Sequence, residues 1–106
     1  MAKLDFERSS GNVFADLGVA EPEEQKLKAE LVVKLASIIA ERRLTQTAAA
    51  RLTGISQPDL SKVLRGRFRD FSADRLIRAI THLDSEVEII VRHGGHAVGE
   101  PIYVHA

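Results

Sequence analysis

Amide, hydroxyl and basic side chains recur between residues 46 and 69, and their types suit contacts with a nucleic acid better than catalysis. Glutamine and lysine hydrogen-bond the edges of bases, and arginine pairs with phosphate. The candidate binding residues, which include one proline at the start of a predicted helix, are Gln46, Ser56, Gln57, Pro58, Ser61, Lys62, Arg65, Arg67 and Arg69.

The charge distribution supports this interpretation, although the formal net charge of the 106 residues is zero. Residues 42–78 contain nine basic and three acidic residues, hence a net charge of +6. The rest of the chain contains six basic and twelve acidic residues, hence −6. A phosphate backbone responds to the local potential and not to the total charge. Charge alone leaves open that these arginines are merely solvated.

Two short helices are predicted to carry these side chains. Thr45 has the type of an N-cap for a helix over residues 46–53, and Gly54 suits the left-handed position that ends it. Ser56 is a second N-cap, for a helix that we expect to end at Gly66. The spacing therefore predicts two consecutive short helices joined by a tight turn.

The apolar residues of this segment predict how the two helices pack. Ala49 and Ala50 are small enough to lie where the helices touch, while Leu60, Val63 and Leu64 fall on one face of the second helix. The opposite face then carries the polar candidates. A helix-turn-helix that places its second helix in the major groove has this pattern. An ordinary helical hairpin with a solvated outer face remains an alternative.

Helices are also predicted on either side of this motif. One begins near Pro22, with apolar residues at helical spacing, and another begins after Ser72. The apolar residues of the first are Leu27, Leu31, Leu35 and Ile38. We expect three regions: an N-terminal arm over residues 1–20, a helix-turn-helix domain over residues 21–84, and a C-terminal β segment over residues 85–106 that dimerises.

The C-terminal region changes from helical to strand periodicity. Val87, Ile89 and Val91 lie on one face of a predicted strand over residues 86–92. A glycine-containing loop leads to a second possible strand over residues 101–105. The first strand is expected to pair with the second, with another subunit, or with both, and we predict a homodimer.

Other functions have little support in the sequence. The absence of cysteine excludes disulfides and thiolate chemistry. Two histidines, His93 and His96, flank a Gly-Gly pair but have no further cluster of ligands nearby, so we predict no metal site. We also predict no cofactor and no enzymatic activity. Residues 31–40 are too short and too charged to span a bilayer, and we expect a cytoplasmic protein without a membrane partner.

The central segment resembles the helix-turn-helix of the XRE group, which includes phage repressors and Cro-like proteins. Three stretches carry the match: Leu44-Thr45-Gln46, Gly54-Ile55-Ser56-Gln57 and Leu64-Arg65-Gly66. The resemblance implies that Gln46 touches phosphate. It also implies that Gln57, Pro58, Ser61 and Lys62 read bases. The expected fold is mainly α, a four- to five-helix lambda-repressor-like helix-turn-helix domain with a short C-terminal β element.

A broader resemblance links most of the chain to small HigA-like antitoxins. It rests on residues 11–18 (GNVFADLG), 27–31 (LKAEL), 65–72 (RGRFRDFS) and 84–89 (DSEVEI). Such proteins neutralise a RelE/HigB-type ribonuclease toxin and repress their own operon. The resemblance therefore implies double-stranded DNA and a toxin as partners. A solitary phage-type repressor and a protein-interaction adaptor without DNA binding are the alternatives.

Overall fold

The computed structural model describes residues 21–105 and contains four helices followed by four short strands. The elements are α1 (Glu21–Glu41), α2 (Gln46–Thr53), α3 (Gln57–Leu64), α4 (Ala73–Thr81), β1 (Val87–Ile89), β2 (Arg92–His93), β3 (His96–Ala97) and β4 (Ile102–Val104). This order confirms the predicted mainly α architecture with a C-terminal β element. The predicted N-terminal arm lies outside the described residues.

Helix α1 packs along α4 through a stripe of buried apolar residues. The sequence analysis predicted only some of these residues. Leu35 is fully buried, and Val32 and Ile39 are nearly so, whereas Leu31 and Ile38 are half-buried at the edge of the stripe. The buried stripe therefore runs through positions 32, 35 and 39. Leu35 was predicted to lie on it, whereas the other predicted residues, Leu27, Leu31 and Ile38, flank it.

The end of α1 is closed by two backbone hydrogen bonds. The N–H of Leu44 donates to the Ile39 carbonyl and that of Arg43 to the Ala40 carbonyl, both at 3.0 Å. Arg43 has a φ of 54°, the left-handed conformation that such a helix end requires. Leu44 then packs against the core, so the chain is directed into α2.

The α2–α3 pair has the N-caps that the sequence predicts, and α3 ends at Leu64, two residues before the predicted end at Gly66. The Thr45 hydroxyl accepts from the Ala48 N–H at 3.0 Å, and the Ser56 hydroxyl accepts from the Asp59 N–H at 3.3 Å. Gly54 ends α2 with a φ of 78°. Only three residues separate the two helices, so their relative orientation depends on this turn.

A single apolar core lies beneath the four helices. The largest fully buried side chains are Leu35, Leu60, Val63, Leu76 and Leu83. Ile55, from the α2–α3 turn, and Phe71, from the α3–α4 loop, are 4% and 6% exposed and complete the core. Both ends of α3 are therefore fixed to the core through the connections beside them.

Strands β1 and β4 form a two-stranded antiparallel sheet, with Val87 opposite Val104 and Ile89 opposite Ile102. The strand predicted over residues 86–92 is too long, because β1 ends at Ile89 and Val91 lies outside it. Val87 packs against the core beside α4, which holds one end of the sheet to the helical domain.

The region predicted as a loop contains a second hairpin. His93 pairs with His96 across a two-residue turn of Gly94 and Gly95, whose φ angles are 61° and 80°. Two consecutive positive φ angles define the tight turn whose twist matches that of antiparallel strands. The loop prediction was wrong because a Gly-Gly pair between short extended segments is itself a hairpin signal.

Candidate nucleic-acid interface

Helix α3 is buried on one side and open on the other. Leu60 and Val63 are fully buried and Leu64 is half-buried, as predicted for the face that anchors this helix. Lys62 and Arg65 are exposed on the other side. The helix therefore presents its polar side chains to solvent while the core fixes its position.

The N-terminal tip of α3 carries three further candidates. Ser56, Gln57 and Pro58 are exposed, while Ser61, one turn later, is half-buried. Gln46 is exposed at the first position of α2. Helix N-termini attract anions through their unpaired N–H groups and the helix dipole, so the tip of α2, which has no acidic residue in its first turn, suits a contact with a DNA phosphate.

The loop between α3 and α4 presents two exposed arginines, Arg67 and Arg69. Phe71 is buried and Phe68 half-buried, so the phenylalanines anchor this loop to the core. The Phe71 N–H donates to the Phe68 carbonyl at 2.9 Å. The Arg75 guanidinium lies 4.3 Å from the centre of the Phe71 ring and covers that anchor.

The electrostatics favour an anionic ligand at this surface. Asp74 pairs with Arg78 at 3.3 Å, so one of the three acidic residues in the basic segment already has a basic partner. Within residues 21–105, no carboxylate lies within ion-pair distance of Lys62, Arg65 or Arg67. These three charges are therefore available to phosphate oxygens.

Two residues that support the interface escaped the sequence analysis. Thr53 is 6% exposed, and its hydroxyl donates to the Ala49 carbonyl at 2.8 Å and accepts from the Ile55 N–H at 3.3 Å. Lys28 is 3% exposed, and its ammonium donates to a loop carbonyl. A signal for Lys28 was present, because it lies four and seven residues before Val32 and Leu35 on the buried stripe.

The structure offers no support for other kinds of site in the part of the chain that it describes. Residues 21–105 contain no cluster of three or more side chains suited to hold a metal ion. No helix in that range has both the length and the apolar character needed to cross a membrane.

A helix pair joined by a tight turn, with its second helix anchored beneath and polar outside, defines a helix-turn-helix domain. Comparison with known families agrees, because the model of a family described as a helix-turn-helix domain matches residues 13–92. The chain belongs to this family.

A solved structure described as an XRE-family transcriptional regulator is similar to this chain, with 34% sequence identity and a TM-score of 0.67. The similarity covers 82% of this chain and 99% of that one. It confirms the XRE-type character predicted from the residues of the motif. Among proteins with curated descriptions, none matches the chain significantly.

Proposed function

We propose that the protein is a sequence-specific transcriptional regulator that inserts α3 into the major groove of double-stranded DNA. The observation that carries this proposal is the contrast between the two sides of α3. One side is sealed by Leu60 and Val63, and the other offers Gln57, Lys62 and Arg65 without a carboxylate partner. The XRE-family relative supports the regulatory role.

The exposed residues divide into two roles under this proposal. Gln57, Pro58, Ser61 and Lys62, on the first two turns of α3, contact base edges, with Ser56 and Arg65 at the helix ends beside them. Gln46, Arg67 and Arg69 contact the phosphate backbone and set the orientation of the domain. Contacts of the first kind confer sequence preference, and contacts of the second kind confer affinity for any duplex.

Two substitutions separate these roles. Gln57→Ala should cost about 1–3 kcal/mol on the operator at one base position and little on a scrambled duplex. Arg67→Ala should weaken both duplexes alike and reduce the slope of log affinity against log salt by about 0.9. Binding to both duplexes is measured by fluorescence anisotropy at several salt concentrations. Lys34→Ala, at an exposed position of α1, is the charge-matched control.

The outcomes distinguish the alternatives. Equal losses on operator and scrambled duplex for Gln57→Ala would remove its role in reading bases. Failure of the unmodified protein to bind either duplex at low salt would instead favour the adaptor without DNA binding.

The proposal includes a homodimer formed through the C-terminal β segment. Of the eight exposed large hydrophobic side chains among residues 21–105, six lie there: Ile89, Ile90, Val91, Val98, Ile102 and Tyr103. In the part of the chain that the structure describes, the β1–β4 sheet has two strands, and each of them has an edge without a partner strand. A second copy of the chain is the proposed occupant, because a helix-turn-helix reads two half-sites through a two-fold mate.

Truncation after Asp84 should give a monomer by light scattering, and a truncated protein that remains dimeric would rule out this interface. Because the truncation removes Val87 from the core, Ile90→Lys tests the same surface with less disturbance. Val33→Lys, at an exposed position of α1, is its control. The chain has no tryptophan and one tyrosine, so the fluorescence of Tyr103 reports on the segment itself.

We also propose that the regulator is the antitoxin of a toxin–antitoxin pair. The support is the resemblance to HigA-like antitoxins and the apolar residues Phe6, Phe14 and Leu17 in a short arm beside an acidic cluster. Deletion of residues 1–20 should leave operator binding close to intact, because the motif begins at Thr45. The deletion should weaken capture of the toxin encoded beside this gene, measured by calorimetry.

Two results would contradict the antitoxin role. A gene neighbourhood without a ribonuclease toxin favours a solitary phage-type repressor. Unchanged toxin affinity together with a collapse of thermal stability would show that the arm packs on the core.

A further inference from the structure

Lys28 connects α1 to the loop that presents the arginines of the interface. Its ammonium Nζ donates to the backbone carbonyl of Arg69 at 3.1 Å, although the two residues are 41 positions apart. The side chain is 3% exposed, which is unusual for a lysine. This partly buried contact therefore joins two segments that are distant in the sequence.

The energetics of this contact point away from simple stabilisation. Burying an ammonium group costs desolvation energy, and replacing buried charges with apolar side chains is often neutral or stabilising. Glu24, one turn earlier on α1, is 6% exposed, and its Oε1 has no hydrogen-bond partner among the described residues. The burial of Lys28 is therefore weak evidence for a stabilising role. A hydrogen bond from a buried donor does, however, restrict the position of its acceptor.

The loop is held at three points. At its start, the backbone N–H of Arg67 donates to the Lys62 carbonyl at 2.9 Å, and Gly66 takes a φ of 91°. In its middle, Lys28 holds the Arg69 carbonyl. At its end, Phe71 is buried in the core. Arg67 lies between the first two points. Loss of the Lys28 contact removes the hydrogen bond that joins the middle of the loop to α1, and leaves Arg67 positioned by its own backbone hydrogen bond and by the half-buried Phe68.

We propose that Lys28 is a positioning residue for the contact between the protein and the DNA backbone. Its ammonium holds the α3–α4 loop in the conformation in which Arg67 reaches a phosphate. This inference rests on the proposed DNA-binding function, and it assigns Lys28 no contact with DNA.

Lys28→Met keeps the length of the side chain and removes the donor. We expect Lys28→Met to weaken the affinity for operator and scrambled duplexes alike by about fivefold. An effect of this size is within the range of interaction energies between residues that are in contact. The salt dependence should become shallower while the base preference stays unchanged. Lys34→Met removes the same charge from an exposed position of the same helix and should change neither quantity.

A double-mutant cycle gives a readout that a purely structural role would not produce. In an Arg67→Ala background, Lys28→Met should change the affinity by less than twofold, because the contact that it positions is already absent. Equal effects in the two backgrounds would overturn the inference. So would a Lys28→Met protein that binds as the unmodified protein does, with the same salt slope.

Thermal melting checks that the variants fold. If Lys28→Met does not melt cooperatively, Lys28→Gln takes its place, since its amide keeps a polar group at this position but is one bond shorter than the lysine and ends short of the Arg69 carbonyl. Failure of both variants to fold assigns Lys28 to stability and overturns the positioning role. If the unmodified protein binds neither duplex, the proposed function fails and this inference fails with it. If only the Lys28 effects are missing, the proposed function stands.

Discussion

The hydroxyl of Thr53 holds the turn between α2 and α3, and its removal should loosen that turn. Thr53→Val keeps the branched shape but removes the donor to the Ala49 carbonyl and the acceptor for the Ile55 N–H, at 2.8 and 3.3 Å. Ile55 is 4% exposed, so water cannot easily replace the lost acceptor. The turn sets the angle at which α3 leaves α2, so the effect concerns both stability and binding.

The magnitude follows from two opposing contributions. A buried N–H left without an acceptor costs about 1–3 kcal/mol. Burying a methyl group in place of the hydroxyl returns about 0.8 kcal/mol. The net loss for Thr53→Val is about 1 kcal/mol, which lowers the melting temperature of a domain of this size by about 4–8 °C.

Circular dichroism melting of Thr53→Val and of a control measures this loss. The control is Thr47→Val, which makes the same change at an exposed position of α2 and should shift stability by less than about 0.5 kcal/mol. A Thr53→Val protein that melts at or above the temperature of the unmodified protein would refute the reasoning. Equal shifts for the two variants would attribute the loss to helix propensity instead of the turn.

Three further predictions concern the same fold. Gly54→Ala should lower the free energy of unfolding in urea by about 1 kcal/mol. The cause is backbone strain at a φ of 78°, because no atom lies within 4 Å of the added Cβ. An unchanged free energy of unfolding would contradict this strain. Leu60→Ala should lose about 2–5 kcal/mol, because the side chain is fully buried beneath α3. The carboxylate of Glu88, opposite Tyr103 in the β1–β4 sheet, raises the pKa of Tyr103 above its ordinary value of 10.0. The resulting stabilisation is present below the ordinary pKa and disappears as the pH rises through the raised folded pKa. Glu88→Gln should lower the pKa of Tyr103, measured as the midpoint pH of an ultraviolet absorbance titration of the phenol.

The motif could be predicted from the sequence because its signals are local. Thr45, Ser56 and Gly54 act on backbone groups within three or four residues, so their types alone mark where α2 and α3 begin and end. The apolar positions Leu60 and Val63 fix the buried face of α3 in the same way. These features need no knowledge of the rest of the chain.

Other features depend on segments that are distant in the sequence. The buried stripe of α1 includes Lys28 because the Arg69 carbonyl lies there to receive its ammonium, and periodicity favours the neighbouring leucines equally well. β1 is shorter than the predicted strand because, of residues 86–92, three pair with residues of β4. Roles in DNA contact remain predictions, since exposure of Gln57 or Lys62 shows where a side chain lies and not what it touches.

The length of α3 has a consequence for how specificity is built. A helix of eight residues is unstable by itself, so α3 is helical because its caps and its buried face hold it. Its outward positions contribute little to that stability, and changes at Gln57 or Lys62 should alter the free energy of unfolding by less than about 0.5 kcal/mol. The same changes alter the groups offered to base edges. The scaffold therefore separates folding from recognition, and new sequence preferences are accessible without loss of the fold.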